Sequence, residues 1–600
     1  EWFARVREEV GATAPEFHQR HIQQALPMLV WLGADALRAG RRVDAVRFLD
    51  EADGLSRSRI TREWRSGNVA AASTLASLRS HLRRAADVRA ALATTGTPQE
   101  QARAREAAFE AAQLPHITDA ALAVLAQAQQ RLLESDGSQS RQALSTREDI
   151  EVALRRIAAL RAAFIAYVSD EEAERASRLL RNREPQLRSG ASPNSDIAAV
   201  TPVGSKSASV QLRSNELLLT TVSADEATVV VAMTQAKMSI RRAPLSKASL
   251  AEAVASLRAG VEIQDGMLPP FPYQVAAKLF EDLFGGFKTD ILSAKHLYFV
   301  PDGPLLSLPL HLLLTEKVSA PEGASAIRSA NLPWLLLGPA ISILPSVQSL
   351  AALRRMPASA AQEAFLGIGD PLLKGAASGK RGVAATEILD KSGRVSLAAL
   401  SQLSQLPDSK IELLSMAKAM DSKSEDLLLQ QGATETGIRR LSLDRYRVIA
   451  FATHGLLAGE LDGLVEPALV LTPPQTASRS DDGVLMASEI AALKLDAEVV
   501  ILSACNTAGS DGKPQAEGLS GLARAFIAAG ARRVVASHWS VSSDSASLLM
   551  SEMIRQSRAN RLSNWSEAHR VAMVKLSREA GPPEYAHPAH WAPFVVIGTP

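Results

Sequence analysis

The sequence predicts an α/β protein whose central sheet is mostly parallel, preceded by an all-α N-terminal region. Two apolar runs rich in β-branched residues, 447–452 and 499–503, are typical of strands buried on both faces of a parallel sheet. Strand-like and helix-like segments alternate from residue 444 onward, which favours helices layered on both sides of a sheet. Because 600 residues exceed what one hydrophobic core usually organises, we expect about two to four domains.

The first domain is predicted to be helical and to span residues 1–183, where Ala, Leu, Arg, Gln and Glu dominate and Pro is scarce. Within it, small residues and leucines have spacings that resemble one tetratricopeptide repeat: Leu29, Leu32, Gly33, Gly40, Ala45, Leu49 and Ala52. A shift of about 34 positions, one repeat length, puts Arg79 where a small residue is needed. An array of repeats is therefore not predicted. A bundle that only packs and a surface that binds a partner both stay open.

Residues 184–209 are rich in Pro, Ser, Gly and Asn and are predicted to be a linker. The segment 210–440 then reads as a hairpin, two helices and two strands that end in turns: 217–222 with 227–233, 249–260, 273–283, 297–300 and 365–369. The last segment, 441–600, is predicted to carry a helix at 519–529, capped by a left-handed Gly530, and a strand at 533–537.

Composition limits the classes of partner and environment. With 66 basic and 64 acidic residues the net charge is +2, so neither a nucleic-acid footprint nor a membrane-surface face is predicted. The most apolar window, 332–347, contains three prolines and is too short to span a bilayer comfortably, so we expect buried strand and turn there. A single cysteine fits a reducing cytosol, and we expect a cytoplasmic protein. Since the chain begins with Glu1 rather than Met, a missing upstream segment stays open.

A residue that does chemistry follows each of the two apolar runs. His454-Gly455 comes after the first run, and Cys505, the only cysteine, comes after the second. Because ligands bind outside the carboxyl ends of such strands, we expect His454 and Cys505 to share one crevice.

Peptide cleavage by a thiol needs a thiolate, a proton carrier and donors for the developing oxyanion. Cys505 can be the nucleophile, and a nearby His454 would lower the thiol pKa and protonate the leaving amine. Gly455 has no Cβ, so its backbone N–H can approach a substrate carbonyl, and the Cys505 N–H is the second donor. A lone cysteine at a strand end is more often an inert small hydrophobe. However, the pair has the spacing of about 50 residues seen in caspases, which favours catalysis.

Several motifs in a fixed order extend this pattern: Val300 to Leu305, His454-Gly455, Asp482 to Leu485, Leu502 to Thr507, Glu517 to Phe526, Ala529 to Arg532, Ser537 to Trp539 and His587 to Phe594. Over about residues 210–600 they resemble the CHAT domain, a caspase- and separase-like cysteine peptidase of clan CD that is commonly joined to tetratricopeptide repeats. The resemblance implies a caspase-like three-layer sandwich. Its first half, 210–440, would be a pseudo-peptidase half and its second, 441–600, the catalytic half.

The resemblance also implies a His454–Cys505 dyad, an oxyanion hole made by the backbone of Gly455 and Cys505, and no metal or other cofactor. The cleft for the residue before the scissile bond maps to Ser503 and to the loop from Trp539 to Asp544. Ser542 and Ser543 stand where many members carry acids, so a preference for a basic residue there stays open.

Two further pairs of residues are of types that bind substrates or metals. Glu460 and Asp462, just beyond the histidine, are candidates for contacting substrate, beside the alternative of a solvated loop. His587 and His590 are expected to pack near Trp591 rather than bind zinc, because the chain has one cysteine and no clustered carboxylates.

The predicted function is that of a CHAT-type cysteine endopeptidase that cleaves a specific protein substrate. By resemblance, it belongs to regulated proteolysis in bacterial defence or signalling, with the helical domain recruiting an activating protein partner. The alternative is a catalytically silent scaffold that acts through its helices. The exposed polar loops 375–395 and 474–482 are predicted to be self-cleavage sites if the enzyme processes itself.

Overall fold

The computed structural model describes residues 22–65, 71–135, 201–263, 267–318, 331–377, 397–456, 466–478, 481–504, 520–561 and 563–599. The predicted helical stretch 136–183, most of the predicted linker, Glu460, Asp462, Cys505 and most of the loop 375–395 lie outside these residues. Within them, the predicted α/β fold with a mostly parallel sheet and a helical N-terminal region is confirmed.

The described part of the N-terminal region contains five helices: α1 (Ile22–Arg38), α2 (Arg42–Arg65), α3 (Ala71–Leu92), α4 (Pro98–Gln113) and α5 (Asp119–Ser135). The helices that follow in the first half are α6 (Ser205–Ser209), α7 (Lys247–Ala259), α8 (Tyr273–Phe284), α9 (Lys288–Ser293), α10 (Val347–Arg355), α11 (Leu397–Ser401), α12 (Pro407–Ala419) and α13 (Glu435–Arg439). Those of the second half are α14 (Ala487–Ala491), α15 (Gly521–Ala529), α16 (Ser543–Ala559), α17 (Trp565–Arg578) and α18 (Pro588–Trp591).

Eleven of the strands make one sheet that runs through both halves. In spatial order they are β3 (Met238–Ala243), β2 (Thr228–Met233), β1 (Glu216–Ser223), β4 (His296–Val300), β5 (Ala340–Ile343), β16 (Phe594–Ile597), β15 (Val534–Ser537), β14 (Val499–Ser503), β10 (Tyr446–Ala452), β6 (Glu363–Gly369) and β9 (Leu427–Leu429). Only the pairs β1–β2, β2–β3 and β15–β16 are antiparallel among these described strands. Two small sheets lie beside it: β7 (Gly375–Ala377) with β8 (Ser404–Gln405), and β11 (Gly455–Leu456), β12 (Ala468–Val470) and β13 (Val484–Met486).

The central strands are covered on both faces, as their sequences predict. Every residue of β4, β5, β14, β15 and β16 is buried, which requires a layer of helices on each side of the sheet. Helix α15 supplies part of one layer, and its Phe526 ring lies 5.1 Å from the Phe451 ring of β10. Gly530 ends α15 with φ +124°, which confirms the predicted left-handed cap. The result is a three-layer α/β architecture.

The helical region is packed directly against the α/β part. Arg83 of α3 makes a bidentate ion pair with Asp302, which follows β4, at 2.8 Å from Nε and 2.7 Å from Nη2. Ala86, Phe109 and Val124 share the hydrophobic core of the large sheet. The end of the predicted linker is also packed against this region. Residues 205–209 form α6, and the Val203 N–H donates to the side-chain amide oxygen Oε1 of Gln113 at 2.9 Å. The described helices include none that is long and apolar enough to cross a membrane.

Candidate active site

The candidate site is built on two neighbouring parallel strands, β10 and β14. Their register pairs Val448 with Val499 and Ala452 with Ser503, an offset of 51 residues. His454 follows Ala452 by two positions, and Cys505 follows Ser503 by two positions. Ala452 and Ser503, which precede His454 and Cys505 by two positions, therefore lie side by side on adjacent strands, and Cys505 itself is outside the described residues. The spacing noted in the sequence equals the register offset of the sheet.

The imidazole of His454 is buried, with 1% of its surface exposed, and one ring nitrogen has a defined partner. Its Nε2 atom lies 2.8 Å from the carbonyl oxygen of Ser404 in β8. A carbonyl can only accept, so Nε2 carries a proton, and Nδ1 is the nitrogen that is basic when the ring is neutral. Sequence reasoning missed this third group, because any residue type at position 404 supplies the same backbone oxygen.

The backbone around Gly455 is held by the small sheet β11–β12–β13. Gly455 pairs with Leu469, and Leu469 pairs in turn with Leu485. The carbonyl of His454 accepts a hydrogen bond from the Val470 N–H at 3.0 Å. These contacts fix the chain direction directly after the histidine, where a backbone donor for an oxyanion is predicted.

The chain directly before Cys505 is anchored to the next strand. The hydroxyl of Ser537, the last residue of β15, donates to the carbonyl of Ala504 at 2.5 Å, and Ser537 is 1% exposed. Ser503, predicted to line the substrate cleft, is likewise buried, with 1% exposure. In the sequence Ser537 is part of the motif Ser537 to Trp539, but nothing there predicts its hydrogen bond to the Ala504 carbonyl.

Trp539 and Asp544, the other predicted cleft residues, have contrasting environments. Trp539 is 1% exposed, its Nε1–H donates to the Ala589 carbonyl at 3.0 Å, and the guanidinium of Arg258 lies 5.4 Å from its ring. Asp544 is exposed in the first turn of α16. In the described structure Trp539 therefore supports the loop from within, and only Asp544 of these two faces solvent.

Arg258 also fixes the peptide before Trp539. It belongs to α7 of the first half and donates to the carbonyl of His538 at 2.5 Å. Burial, followed by the positive charge of Arg258, lowers the pKa of His538 to about 3. His538 is thus neutral at the carboxyl end of β15. This link between the halves was also not predicted.

At the carboxyl end of β6, next to β10, two residues adopt left-handed conformations. Asp370 and Gln430 both have φ 49°, and the Gln430 N–H donates to the Asp370 carbonyl at 3.0 Å. They directly follow Gly369 and Leu429, the last register pair of β6 and β9. Such backbone conformations in non-glycine residues cost about 1–3 kcal/mol and often occur at functional sites. Burial raises the pKa of the Asp370 carboxyl.

Two acidic residues, Glu435 and Asp482, lie close together directly before β13. Glu435 accepts from the Asp482 N–H at 2.8 Å and pairs with Arg439 at 3.0 Å. Burial, followed by the charge of Glu489, raises the pKa of Glu435 to about 7, and burial raises that of Asp482 to about 6. Asp482 precedes Gly483, whose φ of +88° turns the chain there.

Metal ligands were not predicted, and the described residues contain no group of three or more His, Cys, Asp or Glu side chains arranged to hold an ion. His587 Nε2 donates to the Pro269 carbonyl at 3.0 Å, and the His590 ring lies 4.6 Å from the Tyr585 ring. The two histidines therefore pack within the protein, as expected from the sequence.

A known protein-family model covers the region that contains this site. The family model described as "CHAT domain" matches residues 274–599. Tetratricopeptide repeat protein 28 of Mus musculus is 33% identical over 115 residues, which cover 19% of this chain and 4% of that protein.

Three solved structures are also similar. Two are of the Saccharomyces cerevisiae separase–securin complex. One has TM-score 0.44 and 11% identity over 94% of this chain and 38% of that chain. The other has TM-score 0.41 and 9% identity over 100% of this chain and 48% of that chain. The Arg-specific cysteine proteinase gingipain R has TM-score 0.29 and 9% identity over 59% of this chain and 74% of that chain. The chain thus spans less than half the length of the separase chains.

Proposed function

The chain belongs to the CHAT domain family, whose model matches more than half of its residues, and on that premise we propose that it is a cysteine endopeptidase. His454 and Cys505 are the catalytic dyad. The observation that carries this proposal is the register of β10 and β14, whose offset of 51 residues equals the separation of the histidine and the cysteine. Adjacent parallel strands deliver their following residues to one edge of a sheet.

The buried contact of His454 assigns the ring atoms in this mechanism. Because the Ser404 carbonyl holds the Nε2–H, Nδ1 takes the proton of the Cys505 thiol. The thiolate sulfur then forms a bond to the substrate carbonyl carbon, and the electron pair of that carbonyl moves to its oxygen. Backbone N–H groups of Gly455 and Cys505 stabilise this oxyanion, a contribution of about 3 kcal/mol for each donor.

Collapse of the intermediate breaks the peptide C–N bond, and the imidazolium gives its proton to the leaving amine. Water then attacks the thioester carbon, with Nδ1 accepting a proton from the water, and the thiol is restored as the acid product leaves. No electron donor or metal is required for either half of the cycle.

The proposed substrate is a protein, and the proposed setting is regulated proteolysis in a bacterial defence or signalling system. Ser503, Trp539, Asp544 and Glu460 are the residues proposed to form or border the substrate cleft. Of the described ones Asp544 is exposed, whereas Ser503 and Trp539 are buried. Among these described residues, Asp544 is therefore the better candidate for direct contact with substrate. Ser503 and Trp539 would act by fixing the shape of the cleft.

The helical region is proposed to bind an activating protein partner. In support, α5 contacts two connecting segments: Gln127 donates to the carbonyl of Ala531, in the turn after α15, at 3.2 Å, and Arg131 pairs with Asp496, directly before β14, at 3.2 Å. Helix α15 begins directly after the segment 505–519 that contains the cysteine. A partner that displaced α5 would thus act on the helix next to the nucleophile.

The alternative function, a silent CHAT scaffold acting through its helices, draws on the low exposure of His454. A latent enzyme that opens only with its partner has the same feature. A thiol-directed peptidyl inhibitor separates these cases, because labelling of Cys505 requires an open cleft. Labelling without a partner supports an active peptidase, labelling only with a partner supports a latent one, and no labelling in either state supports the scaffold.

The direct test profiles cleavage of a proteome-derived peptide library by the full chain. Cys505→Ala and His454→Ala should each abolish cleavage, with melting temperatures close to that of the parent. His81→Ala in α3, a half-buried histidine of the helical region, is the matched control and should retain the parent cleavage pattern. Cleavage retained by both dyad variants would rule out the mechanism.

A further inference from the structure

The buried hydroxyl of Thr453 has a defined partner beside the proposed base. Thr453 lies between Ala452, the last residue of β10, and His454, and it is 0% exposed. Its hydroxyl donates to the carbonyl of Val470, the last residue of β12, at 2.5 Å. In the proposed mechanism this hydroxyl has no part, although it directly precedes the base in the chain.

Val470 also contacts the next residue of this segment. Its N–H donates to the carbonyl of His454 at 3.0 Å. The hydroxyl of Thr453 and the carbonyl of His454 therefore bind the two backbone groups of one residue. Because two hydrogen bonds fix direction as well as distance, both contacts restrain rotation of the peptide group that follows His454.

Strand β12 is a firm support for these contacts, because it is also paired at its other edge. It pairs antiparallel with β13, and the Leu471 N–H donates to the Gly483 carbonyl at 2.9 Å. The next N–H, that of Thr472, donates to the Ala433 carbonyl at 2.8 Å. The segment 453–455 is therefore held against a strand that is itself fixed from the opposite side.

The carbonyl of His454 and the N–H of Gly455 belong to one peptide group. A trans peptide is planar, so the two point in opposite directions. Gly455 pairs with Leu469, and the bond from Val470 to the residue before Gly455 makes this a non-hydrogen-bonded pair. In such a pair the Gly455 N–H is directed away from β12. The contact with Val470 thus sets the direction of the N–H that the proposed mechanism uses for the oxyanion.

We propose that Thr453 is a positioning residue, whose hydroxyl acts through Val470 to aim the Gly455 N–H at the substrate oxyanion. This inference rests on the proposed peptidase function. Loss of the hydroxyl leaves the buried Val470 carbonyl without this donor and leaves one restraint on the segment where there were two. Oxyanion stabilisation depends on donors that are fixed in place before the reaction, so a loosened Gly455 peptide should slow the chemical step.

The first test compares variants of Thr453 in steady-state peptide cleavage by the full chain. Thr453→Val has a similar shape but no hydroxyl, and it should lower kcat about 10–100-fold with KM within about twofold of the parent. Thr453→Ser keeps the hydroxyl and should keep kcat within about threefold of the parent. A kcat for Thr453→Val as high as that of Thr453→Ser would overturn the proposal.

The matched control is Thr228→Val in β2, six strands away from β10 in the large sheet. Thr228 is also 0% exposed, and its hydroxyl donates to the Leu245 carbonyl at 2.8 Å. The control therefore loses the same kind of contact and should keep the parent kcat. An equal loss of kcat in Thr228→Val and Thr453→Val would show that lost stability, and not positioning, is the cause.

The second test is alkylation of Cys505, the only thiol, by iodoacetamide, followed by mass spectrometry. The thiolate sulfur bonds to the methylene carbon, and iodide leaves with the electron pair of the C–I bond, so no oxyanion forms. Thr453→Val should therefore be alkylated at the parent rate, whereas His454→Ala should be alkylated more slowly. If Thr453→Val loses alkylation in proportion to cleavage, the whole site is disturbed and the proposal is wrong.

The third test needs no cleavage and so also applies to a latent enzyme. Amide hydrogen exchange of Val470 should be faster in Thr453→Val than in the parent and in Thr453→Ser, because its bond to the His454 carbonyl is loosened. Unchanged exchange would overturn the inference. The outcomes also separate the two proposals. Cleavage retained by Cys505→Ala would end the peptidase function, whereas full activity of Thr453→Val with an inactive Cys505→Ala would end only the role of Thr453.

Discussion

The Nε2 atom of His454 donates to the carbonyl oxygen of Ser404 at 2.8 Å, across 50 residues of sequence. The contact joins the residue predicted to be the catalytic base to β8, a short strand of a small sheet outside the main one. Its effect is to leave Nδ1 as the basic ring nitrogen. Two variants near this contact separate the backbone role from the side-chain role.

The first prediction is that activity depends on the backbone of Ser404 and not on its hydroxyl. Leu403 is 7% exposed and packs with Leu400 and Leu456, so it fixes the peptide that carries the acceptor. Leu403→Ala should lower kcat about tenfold, equivalent to about 1.4 kcal/mol, with little change in KM. Ser404→Ala should keep the parent kcat. Equal losses in both variants, measured by steady-state peptide cleavage, would contradict a role for the backbone alone.

The carbonyl of Ser404 marks a limit of what the sequence can predict. The apolar runs were enough to predict β10 and β14, and that His454 follows the carboxyl end of β10, because a buried strand is recognised by its apolar side chains. A backbone acceptor has no residue type. The same holds for Arg258, whose contact with the His538 carbonyl depends on how two halves distant in sequence are packed.

The extent of domain packing was also beyond the sequence. The helical composition of 1–183 predicted α1 to α5, but a helical face gives no sign of which core it joins. Phe109 and Val124 are part of the core of the large sheet, so the helical region shares that core rather than standing apart from it.

The second prediction concerns Ser537, whose hydroxyl donates to the Ala504 carbonyl directly before Cys505, the proposed nucleophile. Ser537→Ala should leave a buried carbonyl without this donor and cost about 1–3 kcal/mol of the free energy of unfolding. Loosening of the peptide before Cys505 should lower kcat more than it raises KM. Ser56→Ala in α2, at a buried serine whose hydroxyl donates to the Ala52 carbonyl at 3.0 Å, is the control for stability loss alone. If Ser537→Ala has the same kcat as this control, then Ser537 does not position Cys505.

The third prediction is that the buried pair Arg83–Asp302 stabilises the joint between the helical region and the α/β part. The side chains are 15% and 4% exposed. Arg83→Leu leaves Asp302 buried without its cation, so the free energy of unfolding should fall by about 3–5 kcal/mol in urea or guanidinium titrations.

The matched control for this pair is Arg445–Glu363, whose side chains are 63% and 42% exposed. Arg445→Ala should change the free energy of unfolding by less than about 1 kcal/mol, because water screens exposed pairs. Similar losses for the two arginine variants would mean that burial does not set the strength of the Arg83 contact.

The last prediction concerns acid stability and the buried pair His311–His569, whose ring centroids are 5.9 Å apart. Burial lowers the pKa of His569 to about 3 and that of His311 well below its usual value of 6.5, the latter with help from the neighbouring imidazole. Below pH 6.5 the unfolded chain binds protons that the folded chain does not. Stability should therefore fall by about 1.4 kcal/mol per pH unit for each such histidine as the pH decreases toward 4.

His569→Leu should remove one histidine's share of this slope between about pH 6 and pH 4, as measured by denaturant unfolding at several pH values. His81→Leu, at the half-buried histidine of α3, is the comparison and should change the slope less, because its imidazole stays in contact with water in the folded chain. If the parent and His569→Leu have the same slope, the His569 ring takes up a proton in the folded state near its ordinary pKa. One of the two buried imidazoles would then be positively charged, and the description of both rings as neutral would be wrong.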